Sequence, residues 1–311
     1  MSVYLGIDTS NYTTSVAAYD CNSGKMISEK LLLPVGEKTC GLRQSDAVFL
    51  HVKQLGDVAK AVLSRLTEAP AAIGVSVSPC DSEKSYMPCF LVGKMLAESL
   101  SAAYNAKLYY LSHQRGHIAA ALYSANKLDL INSEFLALHI SGGTTDLLKI
   151  VPDEDKIFSV ECIGKSLDIK AGQAVDRVGV MLGLSFPCGA ELEKLAQKSD
   201  KEYKIKPCVN GLNCNLSGLE NQAKRMLESG EGSADIAKYC LDFVGVTIDK
   251  MCQNAREIYP NLPFVFAGGV MSNKKIKDNL NYKYNGYFAE PKYSSDNAAG
   301  IAVLCKYCHE K

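Results

Sequence analysis

The sequence predicts an α/β protein built from two similar lobes, and three stretches carry that prediction. "SVYLGIDTSNYTTSVAAYD", near the start, reads as strand, tight polar turn, strand, because apolar runs flank a cluster of Asp, Ser, Asn and Thr. "EFLALHISGGTTDLLKIV" repeats the plan in mid-chain, with glycines in the turn. "PFVFAGGVMSNKKIKDNL" follows as strand, Gly-Gly turn and helix start. Lobes built on such paired hairpins put nucleotide phosphates between the two turns.

The remaining elements fall in order. "QLGDVAKAVLSRL" has helical periodicity, and "AAIGVSVSP" is a short buried strand ended by Pro79. "CFLVGKMLAESLSAAYNA" is a helix and "KLYYLS" a strand. The next helix begins at His113 and runs to about Asn126. "GKSLDIKAGQAVDRVGVMLGL" is mostly helix, and "SFPCGAELEKLA" is a Pro/Gly-marked turn into another. "ADIAKYCLDFVGVTIDKMCQNAREIY" is a long amphipathic helix. "YFAEPKYSSDNAAGIAVLCKY" is a loop into a last helix. No low-complexity linker and no short-period repeat interrupts this order. The lobes are expected at residues 1–133 plus 294–311, and at 134–293, with a nucleotide in the cleft between them.

Composition narrows the class. The chain has 311 residues, 47% apolar and 22% charged, which is enough for two domains with real cores. Thirty-four basic and 34 acidic residues cancel to zero net charge. That argues against wholesale nucleic-acid binding, which needs a basic footprint, and leaves a local patch open. No apolar run is long enough to span a membrane, and "MSVYLGIDTS" lacks a basic region followed by an apolar one. A cytoplasmic protein with no membrane partner is expected, its twelve cysteines reduced and packed as small apolar residues. Cys305, Cys308 and His309 spell C-x-x-C-H, which we read as coincidence, since neither an export signal nor a second C-x-x-C accompanies it.

Four motifs could carry chemistry. In "ISGGTTD", Gly142 and Gly143 let backbone amides approach a phosphate, Thr144 and Thr145 can add hydroxyls, and Asp146 could hold a metal. An ordinary glycine hairpin turn would look the same. In "FAGGVMSN" a helix starting at about Ser272 could receive a ribose or phosphate, with Asn273 bonding ribose or adenine. Neither a Walker A loop nor G-x-G-x-x-G is present. In "GIDTSNYTTS", Asp8 at a strand end could reach a metal or nucleophile, although a polar hairpin turn explains the stretch as well. In "SHQRGH", His113 and His117 lie at i and i+4 on one helical face, the geometry of a bidentate imidazole site. Gln114 stands where H-E-x-x-H has its base, which disfavours a zinc peptidase. Two satisfied histidines at a capped helix start remain the alternative.

Taken in order, "LGIDTS", "SHQRGH", "ISGGTTDL", "GKSLDIKAGQAVDRVGVMLGLSFPCGAELEKLA", "NLSGLE", "FAGGVMSN" and "SSDNAAGIA" resemble the tRNA threonylcarbamoyladenosine transferases, the TsaD or glycoprotease family, along essentially the whole chain. The resemblance implies the two-lobed actin/sugar kinase/Hsp70-like (ASKHA) fold. It implies one divalent metal, Fe(II) or Zn(II), held by His113, His117 and Asp296, which neutralises nucleotide phosphates. It implies nucleotide contacts at Ser141, Gly142, Gly143 and Thr144, at Asp176 toward the ribose, at Gly189 and Glu193, and at Asn273. The ligand is then ATP or an acyl-adenylate, threonylcarbamoyl-AMP. The implied reaction moves the threonylcarbamoyl group to a tRNA adenosine next to the anticodon, and the implied partners are tRNA, a paralogous ASKHA subunit and a small ATPase. Asp8 and Thr13 are the candidates for the catalytic turn.

The chain also departs from the family. Where the family reads E-T-S-C-D-E-T-S, this sequence reads "DTSNYTTS", so Asn11, Tyr12 and Thr13 replace a Cys and two carboxylates. "SPCDSEKSYMPCF" replaces a glycine-rich loop, and Lys165, Ile169 and Gln173 stand in place of acidic residues. "TTD" replaces H-T-Q, and "CNLSGLE" replaces F-S-F-S-G-L-K. Metal and nucleotide positions persist while the acyl and acceptor side changes, as in a paralogue. Three readings follow: a tRNA threonylcarbamoyl transferase, a related carbamoyl- or acyl-adenylate transferase with another acceptor, and a non-catalytic nucleotide-binding partner subunit. A peptidase lacks a nucleophile–base arrangement.

Overall fold

The computed structural model describes residues 2–34, 42–82, 85–294 and 298–311. The first hairpin forms as predicted: β1 (Val3–Thr9) and β2 (Thr13–Asp20) pair antiparallel, with Asp8 opposite Ser15 and Thr9 opposite Thr14. A third strand, β3 (Lys25–Leu32), extends this ladder. It lies at the sheet edge with little of its surface buried, so its sequence shows no clean alternation. Helix α1 (Gln44–Leu63) then packs on β2 and β3. Strand β4 (Pro70–Ser78) runs parallel to β1, helix α2 (Phe90–Tyr104) follows, and β5 (Lys107–Ser112) runs parallel to β4. Helix α3 (His113–Ser124) starts at the residue after the end of β5. The sheet order is β3-β2-β1-β4-β5.

The second half repeats it. Strands β6 (Phe135–Ile140) and β7 (Thr145–Asp153) pair antiparallel, and β8 (Ile157–Lys165) joins the edge. Helices α4 (Ala171–Met181) and α5 (Gly189–Ala196) come next. A short hairpin, β9 (Cys208–Asn210) with β10 (Asn213–Asn215), leads to α6 (Gly218–Glu228) and the long α7 (Ser233–Ile258). Strand β11 (Phe264–Ala267) lies parallel to β6, helix α8 (Lys274–Tyr284) follows, and β12 (Tyr287–Phe288) closes the sheet. Read from β8, the order is β8-β7-β6-β11-β12, the same as in the first sheet. The chain ends with the short α9 (Pro291–Ser294) and α10 (Ala298–Glu310).

Helix is predicted across "GKSLDIKAGQAVDRVGVMLGL", but the structure gives Gly164 and Lys165 to β8 and starts α4 only at Ala171. The cause is Asp168. Its carboxylate accepts the amides of Ile169, Leu216 and Ser217 and pins the segment as a non-helical link to the start of α6. Burial acts to raise this carboxyl, but those amides and the Ser217 hydroxyl outweigh it and hold it well below the usual carboxylate range.

The chain divides into two compact units. One comprises residues 1–132, 152–159 and 290–311, and the other residues 133–151 and 160–289. In the first unit, Leu5, Ile7, Ile73 and Val75 pack under α1 residues Val58 and Val62. The final helix α10 also belongs here and lies against β1 and α3. A Cβ on Gly300 would overlap the Gly116 carbonyl, so only glycine lets α10 approach α3 this closely. In the second unit, Leu136, Leu138, Phe264 and Phe266 of the sheet pack with Val175 and Val178 of α4 and Val244 and Ile248 of α7. Among the described residues, no helix is long and apolar enough to cross a membrane.

Candidate functional site

In the first unit, three segments converge on one carboxylate. Asp8, the last residue but one of β1, is fully buried, and its Oδ1 accepts from the Ser76 hydroxyl on β4 and lies 2.9 Å from His113 Nδ1. A carboxylate oxygen only accepts when ionised, so His113 carries its proton on Nδ1 and presents Nε2 as the basic nitrogen. His117, one turn along α3, stands with its ring centroid 4.7 Å from that of His113. Arg115, between them, donates to the carbonyls of Phe158 at 2.8 Å and of Lys156, and its Nε lies 3.3 Å from Asp81, which fixes the rotation of α3.

These residues fit a divalent cation of borderline softness. Two imidazoles share one helical face, and one of them has its tautomer set by a buried carboxylate, the usual outer partner of a metal-bound histidine. The third expected donor, Asp296, lies outside the described residues. Among the described residues no group of three His, Cys, Asp or Glu converges.

The turn after Asp8 spans Ser10 to Tyr12. Thr13 is buried on β2, whereas Tyr12 is exposed and Asn11 half-buried. Helix α1 holds the turn through Gln44 Nε2, 2.6 Å from Asn11 Oδ1, and through His51, which reaches both Ser10 and Thr14. Helix α2 holds the end of β1: the Thr9 hydroxyl donates to the Cys89 carbonyl and accepts from the Gly93 amide.

In the second unit, the phosphate-loop candidates form a closed turn. The Ser141 hydroxyl accepts the amides of Gly143 and Thr144, and the Ser141 amide donates to the Thr144 carbonyl at 2.8 Å. A Cβ on Gly142 or Gly143 would meet nothing, so the far side of the loop is open. The start of α4 abuts this loop. The Gly172 amide donates to Ser141 O, and a Cβ on Gly172 would come 2.6 Å from Gly142 Cα, so no larger residue fits there.

One turn further along the same face of α4 stands Asp176. Its Oδ1 accepts the Cys188 amide at 2.8 Å, beside Gly189 at the start of α5, and burial pushes its carboxyl above the ordinary value. Glu193 follows on α5 at i+4 from Gly189, and its Oε1 accepts the Lys274 amide at 2.9 Å. Next to Lys274, Asn273 caps α8 by accepting the Ile276 amide. Thus α4 and α5 string Ser141, Gly142, Gly143, Thr144, Asp176, Gly189, Glu193 and Asn273 along one connected path. A cavity of about 380 Å³ opens at its end among Glu193, Leu241, Asn273 and Lys275, within the size range of small-molecule sites.

Sequence reasoning misses Ser76, His51 and Asp168. A buried serine and a single histidine in an amphipathic helix carry no spacing signal, and the Asp168 partners Leu216 and Ser217 lie 48 and 49 residues away.

Two lobes with the same sheet order, one bearing a buried Asp–His pair and the other a glycine turn against a helix start, define a two-lobed protein of the actin, sugar kinase and Hsp70 class. Solved structures agree on the fold. Component A of the (R)-2-hydroxyglutaryl-CoA dehydratase of Acidaminococcus fermentans is similar with a TM-score of 0.58 at 16% identity, over 100% of this chain and 98% of that one. A ROK family glucokinase from Streptomyces griseus is similar with a TM-score of 0.53 at 11% identity, over 100% of both chains. In sequence, the chain is 27% identical to the tRNA N6-adenosine threonylcarbamoyltransferase of Nanoarchaeum equitans, over 99% of this chain and 94% of the relative. It is 29% identical to the protein of that name from Francisella tularensis subsp. holarctica, over 98% and 94%. The family description "tRNA N6-adenosine threonylcarbamoyltransferase" matches residues 49–303. The chain belongs to that family, whose named activity is an acyl transfer to a tRNA adenosine.

Proposed function

We propose that this chain is a metal-dependent acyltransferase that moves the threonylcarbamoyl group from threonylcarbamoyl-AMP to the exocyclic amine of a tRNA adenosine next to the anticodon. The observation that carries the reading is the buried Asp8 carboxylate on His113 Nδ1, with His117 beside it. An imidazole whose tautomer is set by a buried carboxylate, with a second imidazole one turn along the helix, suits a cation. In this reading His113, His117 and Asp296 hold one divalent ion, Fe(II) or Zn(II), which supplies positive charge against the substrate phosphate.

The amides of Gly142, Gly143 and Thr144 bind phosphate oxygens. Asp176 and Glu193 accept from ribose hydroxyls, Gly189 gives them room, and the Asn273 amide nitrogen bonds the adenosine. The amine nitrogen attacks the carbamoyl carbon, the bond from that carbon to the phosphate oxygen breaks, AMP leaves with the electron pair, and the proton lost from the amine passes to the departing phosphate or to water. Catalysis is then a matter of positioning and charge stabilisation, with Asp8 and Thr13 shaping the catalytic turn. ATP occupies the same adenosine path. The tRNA, a paralogous ASKHA subunit, a small ATPase and a cytoplasmic location belong to this reading.

The test is a complete reaction: purified protein with one equivalent of Fe(II) or Zn(II), threonylcarbamoyl-AMP, tRNA and the partner subunits. Digested tRNA should contain threonylcarbamoyladenosine by mass spectrometry. Unmodified tRNA with intact adenylate refutes the reading.

A second reading, transfer to an acceptor other than tRNA, is favoured by one observation. The accessible side chains of the catalytic turn are Asn11 and Tyr12, with the single carboxylate, Asp8, buried beneath them. It gains support if the adenylate is consumed while tRNA stays unmodified.

A further inference from the structure

His51 is the most deeply enclosed histidine of the first unit, and its two nitrogens bond to opposite shoulders of a single turn. Nε2 lies 2.7 Å from the carbonyl of Ser10, where the turn begins, and Nδ1 lies 2.7 Å from the hydroxyl of Thr14, after it. The two residues between that face outward are Asn11 and Tyr12. A histidine that merely filled the core would take partners wherever they fell. This one spans the base of the turn like a strut.

The protons can be counted. A carbonyl only accepts, so Nε2 carries the hydrogen and Nδ1 accepts in the neutral ring. The Thr14 hydroxyl has one proton and two acceptors, His51 Nδ1 at 2.7 Å and Gln54 Oε1 at 3.2 Å, and the nearer takes it. Gln54 in turn points its Nε2 at the Leu32 carbonyl, and the Leu33 amide donates to Tyr12 O at 2.8 Å. Gln44, two turns before His51 on the same helical face, holds Asn11. The turn is therefore tied to α1 at Ser10, Asn11 and Thr14, with His51 supplying two of the three ties. Burial holds the His51 imidazole below its ordinary value, against the opposing effects of the Ser10 hydrogen bond and the Asp8 charge, which favours the neutral ring this pattern requires.

We propose that His51 is a positioning residue for the acyl transfer, fixing the backbone of Ser10 to Thr13 so that Asn11 and Tyr12 present a single geometry to the reacting groups. The inference rests on the acyl-transfer reading above. It assigns His51 no contact with substrate.

Two variants test it. His51→Leu removes both ties, whereas His51→Gln places an amide nitrogen near the position of Nε2 and can keep the tie to Ser10. With the turn displaced by about 1 Å, kcat in His51→Leu should fall about 100-fold while KM for the adenylate stays within about threefold. His51→Gln should recover most of that loss. Histidine-labelled wild type should show the Nε2–H tautomer for His51 in its ring 15N shifts. Hydrogen exchange of a peptide covering residues 9–14 should be at least about tenfold faster in His51→Leu, with the phosphate-loop peptide unchanged. Wild-type rates in His51→Leu, equal damage in both variants, or unchanged exchange at 9–14 would each overturn the inference. The exchange and tautomer readouts need no turnover. If the wild type transfers nothing, the acyl-transfer reading fails on its own, and exchange still decides whether His51 holds the turn.

Discussion

Replacing Asp8 by Asn tests the candidate metal centre at its least accessible atom. The carboxylate is fully buried, accepts from Ser76, and lies 2.9 Å from His113 Nδ1. Asn keeps the shape and one acceptor oxygen but loses the charge, so His113 Nε2 becomes less basic while the ring is still held. Losing such an outer partner costs about 10- to 100-fold in metal affinity. For Asp8→Asn, where one acceptor survives, the lower end applies, about tenfold or 1.4 kcal/mol. Asp8→Ala removes both acceptors and should approach the upper end. It also leaves the Ser76 and His113 donors unmatched in the core, at a cost of about 1–3 kcal/mol in stability. The assay is competition of Zn(II) or Co(II) between the protein and a chelating dye, with thermal unfolding as a control. Wild-type affinity in both variants would refute the idea that Asp8 orients His113 for a ligand. An affinity loss that tracks only the unfolded fraction would refute it as well.

Three further outcomes are expected. Gly300→Ala should drive α10 off the Gly116 carbonyl and cost about 1–3 kcal/mol, read as a lower Tm. Asp168→Asn should weaken the link to α6 by about 1–2 kcal/mol at neutral pH, because the amides then bond a neutral oxygen in place of a charged one. The folded Asp168 carboxyl is held low, so its contribution is present above the unfolded value of about 3.9 and fades as pH falls toward the folded one. Urea denaturation should thus show a constant gap between wild type and variant from pH 8 to 5 that closes in stronger acid. Asn273→Asp keeps the α8 cap but removes the amide donors, so adenine-nucleotide affinity should drop about tenfold with Tm unchanged. Asn273→Ala should lose both, measured by calorimetric titration beside unfolding.

Much of the fold is legible in the sequence because its decisive signals are local. The strand–turn–strand of β1 and β2, the helix opening at His113 and the glycine turn after Ile140 each declare themselves within twenty residues. Edge strand β3 does not, because neither of its faces is fully buried and nothing in its sequence has to alternate. Helix α6 does announce itself, since its buried residues Leu219, Ala223 and Met226 follow helical spacing with charged residues between them, and it is missed because three such positions in eleven residues make a short stripe. The site divides in the same way. The i, i+4 histidines are visible in one turn of helix, but the partner that fixes the tautomer of His113 lies 105 residues earlier. The contact between Glu193 and the Lys274 amide spans 81 residues and exists only once α5 and α8 have packed. Chemistry written along one element can be read from sequence; chemistry made by two elements meeting waits for the fold.

The seat of α10 has a consequence for synthesis. Strand β1 leaves a ribosome well before the helix that covers it, since Gly6 lies against Ala298 and Ala302, nearly 300 residues later in the chain. The second unit, residues 133–151 and 160–289, is complete in the nascent chain before that cover exists. Vectorial folding therefore runs backwards here: the later unit can mature while the earlier one waits with an apolar sheet face uncapped. During that interval the nascent chain exposes a surface that a chaperone, or any adhesive neighbour, can hold until α10 emerges.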